Sequence, residues 1–165
     1  MRPFSRRPMA VNPTILPPRD GRLYLREDEL DRAAELIFQA ARQFWRAAEG
    51  PLASQALGPA HYRALAAVRR AEGLPVKDLQ ARLGVRKQSL QRVLNELEAA
   101  GLLARIPGAR DRRERLLTLT DLGREAERQA SAALRERLGK VFRLAGADAV
   151  AGARAVLSAL AKDEA

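Results

Sequence analysis

Four arginines fall within six residues of the segment GARDRRERLLTLT, which covers residues 108–120. They are Arg110, Arg112, Arg113 and Arg115, and they crowd around one aspartate, Asp111. A turn needs only glycine, proline, asparagine or aspartate for its geometry, so turn formation does not explain this cluster of like charges. The cluster predicts that a negatively charged partner approaches this turn closely. The alternative interpretation is a solvated basic loop with one weak surface ion pair.

A second group of long polar side chains lies in the segment VRKQSLQR, which covers residues 85–92. Its members are Arg86, Lys87, Gln88, Ser89, Gln91 and Arg92. Arginine suits guanine and glutamine suits adenine, whereas lysine and serine can serve a phosphate or a base. Arg86 and Lys87 stand where a helix is expected to begin, and the helix dipole disfavours cations there by some tenths of a kcal/mol, roughly. That placement is explained if phosphate approaches this end of the helix.

The excess positive charge of the 165-residue chain, +10 in total, is concentrated in two segments. Residues 1–22 carry five arginines and one aspartate, a net charge of +4, and residues 82–115 carry nine basic and four acidic residues, a net charge of +5. Residues 23–81 are neutral, with eight charges of each sign. A focused basic segment of this kind is typical of a binding site for a polyanion.

Periodicity predicts a mainly helical chain around these residues. Apolar residues at steps of three and four predict a helix over 28–48, which Gly50-Pro51 is expected to end. Further helices are expected from Pro59 to before Gly73, from about Pro75 to before Gly84, from the next turn to about Ala100, from Thr120 to about Phe142, and after Gly146. The segments LLARI (102–106) and RLLTLT (115–120) read as strands, and Pro107-Gly108 opens the loop between them.

A short helix, a tight turn and a second helix form a helix-turn-helix, whose second helix enters the major groove of DNA by its N-terminal residues. The strand pair that follows is a wing, whose arginine tip would meet focused negative potential near the minor groove. The expected fold class is mainly α with a small β-wing, a winged helix-turn-helix core at about 57–120. The apolar stripes of the flanking helices, about 28–48 and 121–162, exceed what one small core can cover, so they predict a stable homodimer.

Residues 57–126, from LGPAHYRALAAVRR to LTLTDLGREA, resemble the winged-helix core of the MarR family of bacterial transcription regulators. The likeness covers the helix-turn-helix, the DRR wing and the LTDLGRE exit, and the flanking helices extend it to about 23–162. The resemblance implies a sequence-specific regulator that acts as a homodimer on a pseudo-palindromic operator. It also implies that Arg113 is a minor-groove arginine supported by Asp111, and that Ser89 and Arg92 are contacts of the recognition helix.

The segments KQSLQRVL and DRRERLLTLT resemble, within that family, the PetP-like regulators. Two positions depart from the family pattern. Members usually have serine or threonine at the position of Arg86, and they often have threonine or serine at the position of Pro75. At both positions the expected side-chain cap of the following helix is therefore lost.

A small-molecule effector is a further implication of the resemblance, since members of the family often bind an aromatic or phenolic ligand between the dimer helices and the winged domain. Phe38, Trp45, His61 and Tyr62 are the candidates for lining such a site. The alternative is that these side chains pack the core and the dimer seam, with His61 as a hydrogen-bonded, half-buried histidine. No metal or cofactor is expected, because the chain has no cysteine and one histidine.

Other classes of protein fit the sequence less well. An enzyme is not expected, because there is no Gly-x-Ser-x-Gly motif and Gly139-Lys140 lacks the earlier glycine of a phosphate loop. No apolar run is long enough to span a membrane, and a cytoplasmic protein is expected. A non-specific architectural DNA-binding protein is the main alternative. A winged helix used only for protein contacts would not need arginines in its wing.

Residues 1–22 are basic and proline-rich, and they are expected to lie outside the single domain predicted for residues 23–165. Three interpretations of this segment are open. It is a disordered tail, a stretch before the true start of the protein at Met9, or an arm that contacts DNA.

Overall fold

The computed structural model describes residues 26–53, 57–108 and 114–162. The N-terminal arm expected at residues 1–22 therefore lies outside the described residues. The chain divides after Leu36 into two compact units. The described part of the first unit, residues 26–36, belongs to the first helix, and the second unit contains every other element.

Helices dominate the described chain, and three short strands accompany them. In chain order the elements are α1 (Glu27–Ala53), α2 (Pro59–Arg70), β1 (Leu74–Pro75), α3 (Val76–Leu83), α4 (Lys87–Ala99), β2 (Leu103–Pro107), β3 (Arg115–Leu119), α5 (Asp121–Ala145) and α6 (Ala147–Leu160). The predicted fold class, mainly α with a small β-wing, is confirmed.

Helix α1 is longer than the sequence predicted. The expectation that Gly50-Pro51 ends this helix is wrong, because α1 continues through both residues to Ala53. Proline costs a helix one backbone hydrogen bond, and here only two helical residues follow it. Leu52, whose side chain is 1% exposed, anchors the last turn in the core, and burial of a leucine offsets much of that cost.

The turn between α3 and α4 is made by Gly84. Its backbone lies in the left-handed region with φ of 61°, and its N–H donates to the carbonyls of Gln80 and Ala81. Only glycine adopts this conformation at little cost, so the predicted helix end is confirmed. The short turn lets α4 leave at a defined angle directly after α3.

A three-stranded antiparallel sheet has the order β1-β3-β2. In the wing itself Leu103 pairs with Leu119, and Pro107 pairs with Arg115. The two-residue strand β1 was missed by sequence reasoning, because it is formed by pairing with Leu117, far away in the chain. The helix expected from Pro75 begins at Val76, with Pro75 in extended conformation before it.

One core lies beneath the helix-turn-helix and the sheet. Its fully buried leucines come from five elements or their flanks, which are α1 (Leu52), α2 (Leu65), α3 (Leu79), α4 (Leu94, Leu97) and the wing strands with the residue before them (Leu102, Leu117, Leu119). The core therefore fixes α4 against α2 and against the wing. The helical period predicts four inward positions in α4, of which Leu90, Leu94 and Leu97 are buried and Val93 is half-buried against the core.

Large apolar side chains remain exposed on the outer helices. In residues 26–36 these are Leu30 and Leu36, and in the helices of the second unit they are Ile37, Phe38, Leu122, Leu138, Val141, Phe142, Leu144, Val156, Leu157 and Leu160. The stripe predicted along α5 is divided, since Ala130 and Leu134 are buried whereas Leu138 and Val141 are exposed. No helix among the described residues is both long and apolar enough to cross a membrane.

Candidate nucleic-acid interface

Helix α4 separates an apolar face from a polar face. The buried leucines of α4 point into the core, and the six side chains predicted from the sequence are all exposed: Arg86, Lys87, Gln88, Ser89, Gln91 and Arg92. Residues three and four apart share a face of a helix, so one segment can hold both the buried leucines and the exposed polar residues. The structure thus leaves all six predicted residues exposed at the N-terminal end of α4.

The N-terminus of α4 concentrates positive charge. Arg86 is the N-cap residue, and no side chain caps the helix there, as its departure from serine or threonine predicted. Arg86 and Lys87 make no side-chain hydrogen bond or ion pair to any other residue that the structure describes. Two unpaired cations and the free N–H groups of the first turn together favour binding of a phosphate.

Arg92 is held by a hydrogen-bonded chain that runs into α2. Its Nε donates to Oε1 of Glu96 at 2.8 Å, and the other carboxylate oxygen of Glu96 lies 2.6 Å from Nε2 of His61. On the far side of the ring, the backbone N–H of Gly58 donates to Nδ1 of His61 at 3.0 Å. The hydrogen bond from Arg92, and secondly the one from His61, lower the pKa of Glu96.

Arg105 joins the wing to the outer face of α4. Its Nη2 donates to Oδ1 of Asn95 at 2.9 Å and lies 3.3 Å from the carboxylate of Glu98. One terminal atom of the Gln91 amide lies 2.8 Å from the same Asn95 oxygen and 3.0 Å from Nη2 of Arg105. Sequence reasoning missed Arg105, for which the only signal was an arginine inside an apolar strand. It sets where strand β2 lies relative to the recognition helix.

The tip of the wing falls outside the described residues, and with it the predicted contacts Arg110, Asp111, Arg112 and Arg113. The described part of the hairpin ends with a hydrogen bond from Gly108 N–H to the carbonyl of Glu114, at 3.0 Å. Arg115, the first residue of β3, is exposed. The two strands thus carry the chain to both sides of the arginine cluster.

The exit from the wing into α5 is tightly built. Thr120 accepts the N–H of Gly123 at 3.0 Å and donates its hydroxyl to the carbonyl of Gly101 at 2.6 Å, so the predicted helix cap is confirmed. A Cβ atom on Gly123 would lie 1.8 Å from the carbonyl oxygen of Leu102. The glycine of the LTDLG segment is therefore required by the close approach of two backbone segments.

The four predicted ligand-lining residues occupy different settings. Phe38 is exposed, and His61 belongs to the hydrogen-bonded chain of α4. Trp45 packs on Tyr62 with ring centroids 5.8 Å apart. The Tyr62 hydroxyl lies 2.9 Å from Oγ of Ser131, which in turn donates to the buried carboxylate of Glu127 at 2.6 Å.

A cleft of about 250 Å³ lies between α2 and α3, and Tyr62 is part of its wall. Three arginines, Arg63, Arg70 and Arg82, also line it. Arg63 donates to the carbonyl of Leu83 at 3.2 Å, next to the turn of the helix-turn-helix. Of the four predicted ligand-lining residues, only Tyr62 lines this cleft.

A helix-turn-helix whose second helix is exposed and has a basic N-terminal end, followed by a two-stranded wing, defines a winged-helix protein of the DNA-binding type. The model of the MarR family matches residues 57–114. The chain is 43% identical over 138 residues to the HTH-type transcriptional regulator PetP of Rhodobacter capsulatus, and the alignment covers 84% of this chain and 83% of that protein. The chain belongs to the MarR family of transcriptional regulators, which confirms the resemblance seen in its sequence.

Solved structures with the same fold include one protein bound to operator DNA and another bound to its natural ligand. A mutant of MarR from E. coli complexed with operator DNA has a TM-score of 0.66 at 24% identity, over 82% of this chain and 97% of that one. PcaV from Streptomyces coelicolor in complex with its natural ligand has a TM-score of 0.66 at 21% identity, over 81% and 92%. These likenesses confirm the winged-helix fold.

Proposed function

We propose that this regulator binds a specific DNA sequence as a homodimer, with α4 in the major groove and the wing arginines beside the minor groove. The observation that carries the proposal is the exposed polar face of α4, whose opposite face is fixed in the core. Lys87 and Arg86 would meet phosphates at the helix N-terminus, whereas Gln88, Gln91 and Arg92 have the donors and acceptors for base edges.

The homodimer is supported by the apolar side chains that remain exposed on α5 and α6. Helix α6 has no buried residue, although its composition is strongly apolar. A helix of that composition is stable in water only where its apolar face packs on another surface. A second copy of the chain, related by a two-fold axis, would present two recognition helices to half-sites whose centres lie roughly 10 bp or a multiple apart.

Selection from a random DNA pool distinguishes this proposal from the architectural alternative. We expect the full-length protein to enrich a palindromic motif and to bind it roughly 10³-fold or more tightly than unrelated duplexes at physiological salt. Enrichment of no motif, with equal affinity for random and selected DNA, would refute the proposal and support a non-specific binder. Sedimentation at micromolar concentration tests the dimer separately, and a monomer would contradict it.

The role proposed for the wing predicts that loss of either of two oppositely charged side chains, two positions apart in the chain, weakens operator binding. Arg113→Ala should weaken operator binding by about 1–3 kcal/mol per half-site, with a larger loss on A·T-rich flanks, because a narrow minor groove focuses negative potential. Asp111→Ala should also weaken binding, because it removes the support of Arg113. Charge counting alone predicts tighter binding by the more positive Asp111→Ala protein. Titrations of operator DNA at two salt concentrations therefore decide between a supporting role of Asp111 and an effect of net charge.

Response to a small effector is a second proposed role, favoured by the cleft that Tyr62 shares with three arginines. Guanidinium groups and an aromatic ring together suit an aromatic acid. Benzoate is a suitable probe and neutral benzyl alcohol its control. We expect benzoate to raise the melting temperature of the protein and to change its DNA affinity, and an identical response to both compounds would contradict the role of the arginines.

A further inference from the structure

Glu96 is the junction between the recognition helix and a residue of another helix. Its two carboxylate oxygens are used on opposite sides, one by Arg92 and one by His61. An ordinary surface pair of residues four apart in a helix has no third partner and contributes little to stability. Here the third partner is a histidine whose side chain is only 12% exposed, so the carboxylate is held against α2.

The direction of the hydrogen bonds defines the tautomer of His61. The backbone N–H of Gly58 can only donate, so Nδ1 of His61 must accept. A neutral ring then carries its proton on Nε2, which faces Glu96 and donates to it. The chain of donors therefore runs without conflict from Gly58 through His61 to Glu96, and both nitrogens of the ring are satisfied.

This hydrogen-bonded chain ends at Arg92, whose side chain is 81% exposed. Free in solvent, such a side chain samples many rotamers, and fixing it on DNA costs conformational entropy. With Nε bonded to Glu96, its two terminal nitrogens remain available as a pair of donors in one plane. That pair is the arrangement with which arginine reads O6 and N7 of guanine.

We propose that Glu96 is a positioning residue for base readout by Arg92, and that His61 positions Glu96. The inference rests on the proposed function, because it requires α4 to face bases in the major groove. It assigns sequence discrimination to His61, a largely buried residue of α2, through two hydrogen bonds. The bound carboxylate is also kept from swinging towards the phosphates, which would repel it.

The test compares affinities of full-length variants for the selected operator and for operators with single base-pair changes under α4. Arg92→Ala should reduce discrimination at one base pair per half-site by about tenfold or more. Glu96→Ala and His61→Phe should reduce discrimination at that same base pair by about three- to tenfold, whereas His61→Gln, which retains an N–H at the position of Nε2, should stay within about twofold of the wild type.

Two controls separate positioning from loss of charge or of fold. Glu125→Ala removes one negative charge from an i,i+3 ion pair on α5 and should leave base discrimination unchanged. In the Arg92→Ala background, His61→Phe should have no further effect on discrimination, because the group that it positions is gone. Glu96→Ala provides the test if His61→Phe does not fold, since Glu96 is partly exposed.

Several results would overturn the inference. Equal weakening of all operators by Glu96→Ala and His61→Phe would show a purely structural role, and unchanged discrimination after Arg92→Ala would show that Arg92 reads no base. Both outcomes leave a sequence-specific wild-type protein and thus the proposed function intact. Failure of the wild type to select any sequence would instead refute the proposed function and this inference with it.

Discussion

Substitution of Gly123 by alanine distinguishes the effect of helix propensity on stability from the effect of a steric clash in the tertiary structure. Gly123 lies in the first turn of α5, where alanine would favour helix formation by up to about 1 kcal/mol over glycine. In the folded protein the added Cβ would lie 1.8 Å from the carbonyl oxygen of Leu102, and the atoms that it meets are all backbone. Backbone cannot swing aside like the end of a side chain, so α5 and the wing must separate.

The expected cost follows from the bonds at this contact. Overpacking in a rigid setting costs about 1–3 kcal/mol. Separation also strains the hydrogen bonds from Thr120 to the carbonyls of Gly101 and Leu102, at 2.6 and 3.1 Å, and loss of one such bond costs about 1 kcal/mol. After subtraction of the helix preference, we expect a net destabilisation of about 1–3 kcal/mol. For a chain of this length that lowers the melting temperature by about 2–12 °C.

Gly139→Ala is the matched control, because Gly139 lies in the same helix. There the nearest atom to an added Cβ is Nη1 of Arg143 at 3.3 Å, the movable end of a side chain. We expect Gly139→Ala to be neutral or stabilising by up to about 1 kcal/mol. Urea unfolding at one fixed protein concentration measures both variants. Equal stabilities of Gly123→Ala and Gly139→Ala would refute the reasoning from the close backbone approach.

Three further predictions concern charge and capping. Lys87→Ala should weaken binding to all DNA sequences alike and reduce the log–log salt slope by about 1 per subunit; a change confined to one operator would show a base contact instead. Hydrogen bonds from Arg128 and then Gln129 lower the pKa of Glu125 to about 2, so Arg128→Ala should raise that pKa in an NMR titration. Because the folded-state pKa is depressed, this pair stabilises the folded protein above the ordinary carboxyl range and ceases to do so as the pH falls towards about 2. Thr120→Val should cost about 1 kcal/mol of unfolding free energy, and an unchanged urea midpoint would exclude its capping role.

Local chemistry accounts for what could be read from the sequence. Gly84 ends α3 and Thr120 caps α5 through bonds within four residues along the chain, and such bonds depend on residue type and spacing alone. The exposed and buried faces of α4 follow from the helical period in the same way. Which residues of α4 are exposed was therefore predictable, as was the order of helices and wing strands.

Tertiary packing decided the rest, because those features join residues that are distant in the chain. Pro51 stays helical since Leu52 is held in the core, and β1 exists only through its pairing with β3. His61 was a candidate ligand residue by type, yet its partner is Glu96, 35 residues away on another helix. The 1.8 Å approach at Gly123 is likewise a contact between separate segments. A sequence pattern specifies which face of an element is apolar, whereas the partner that meets each polar side chain is set by how the elements pack.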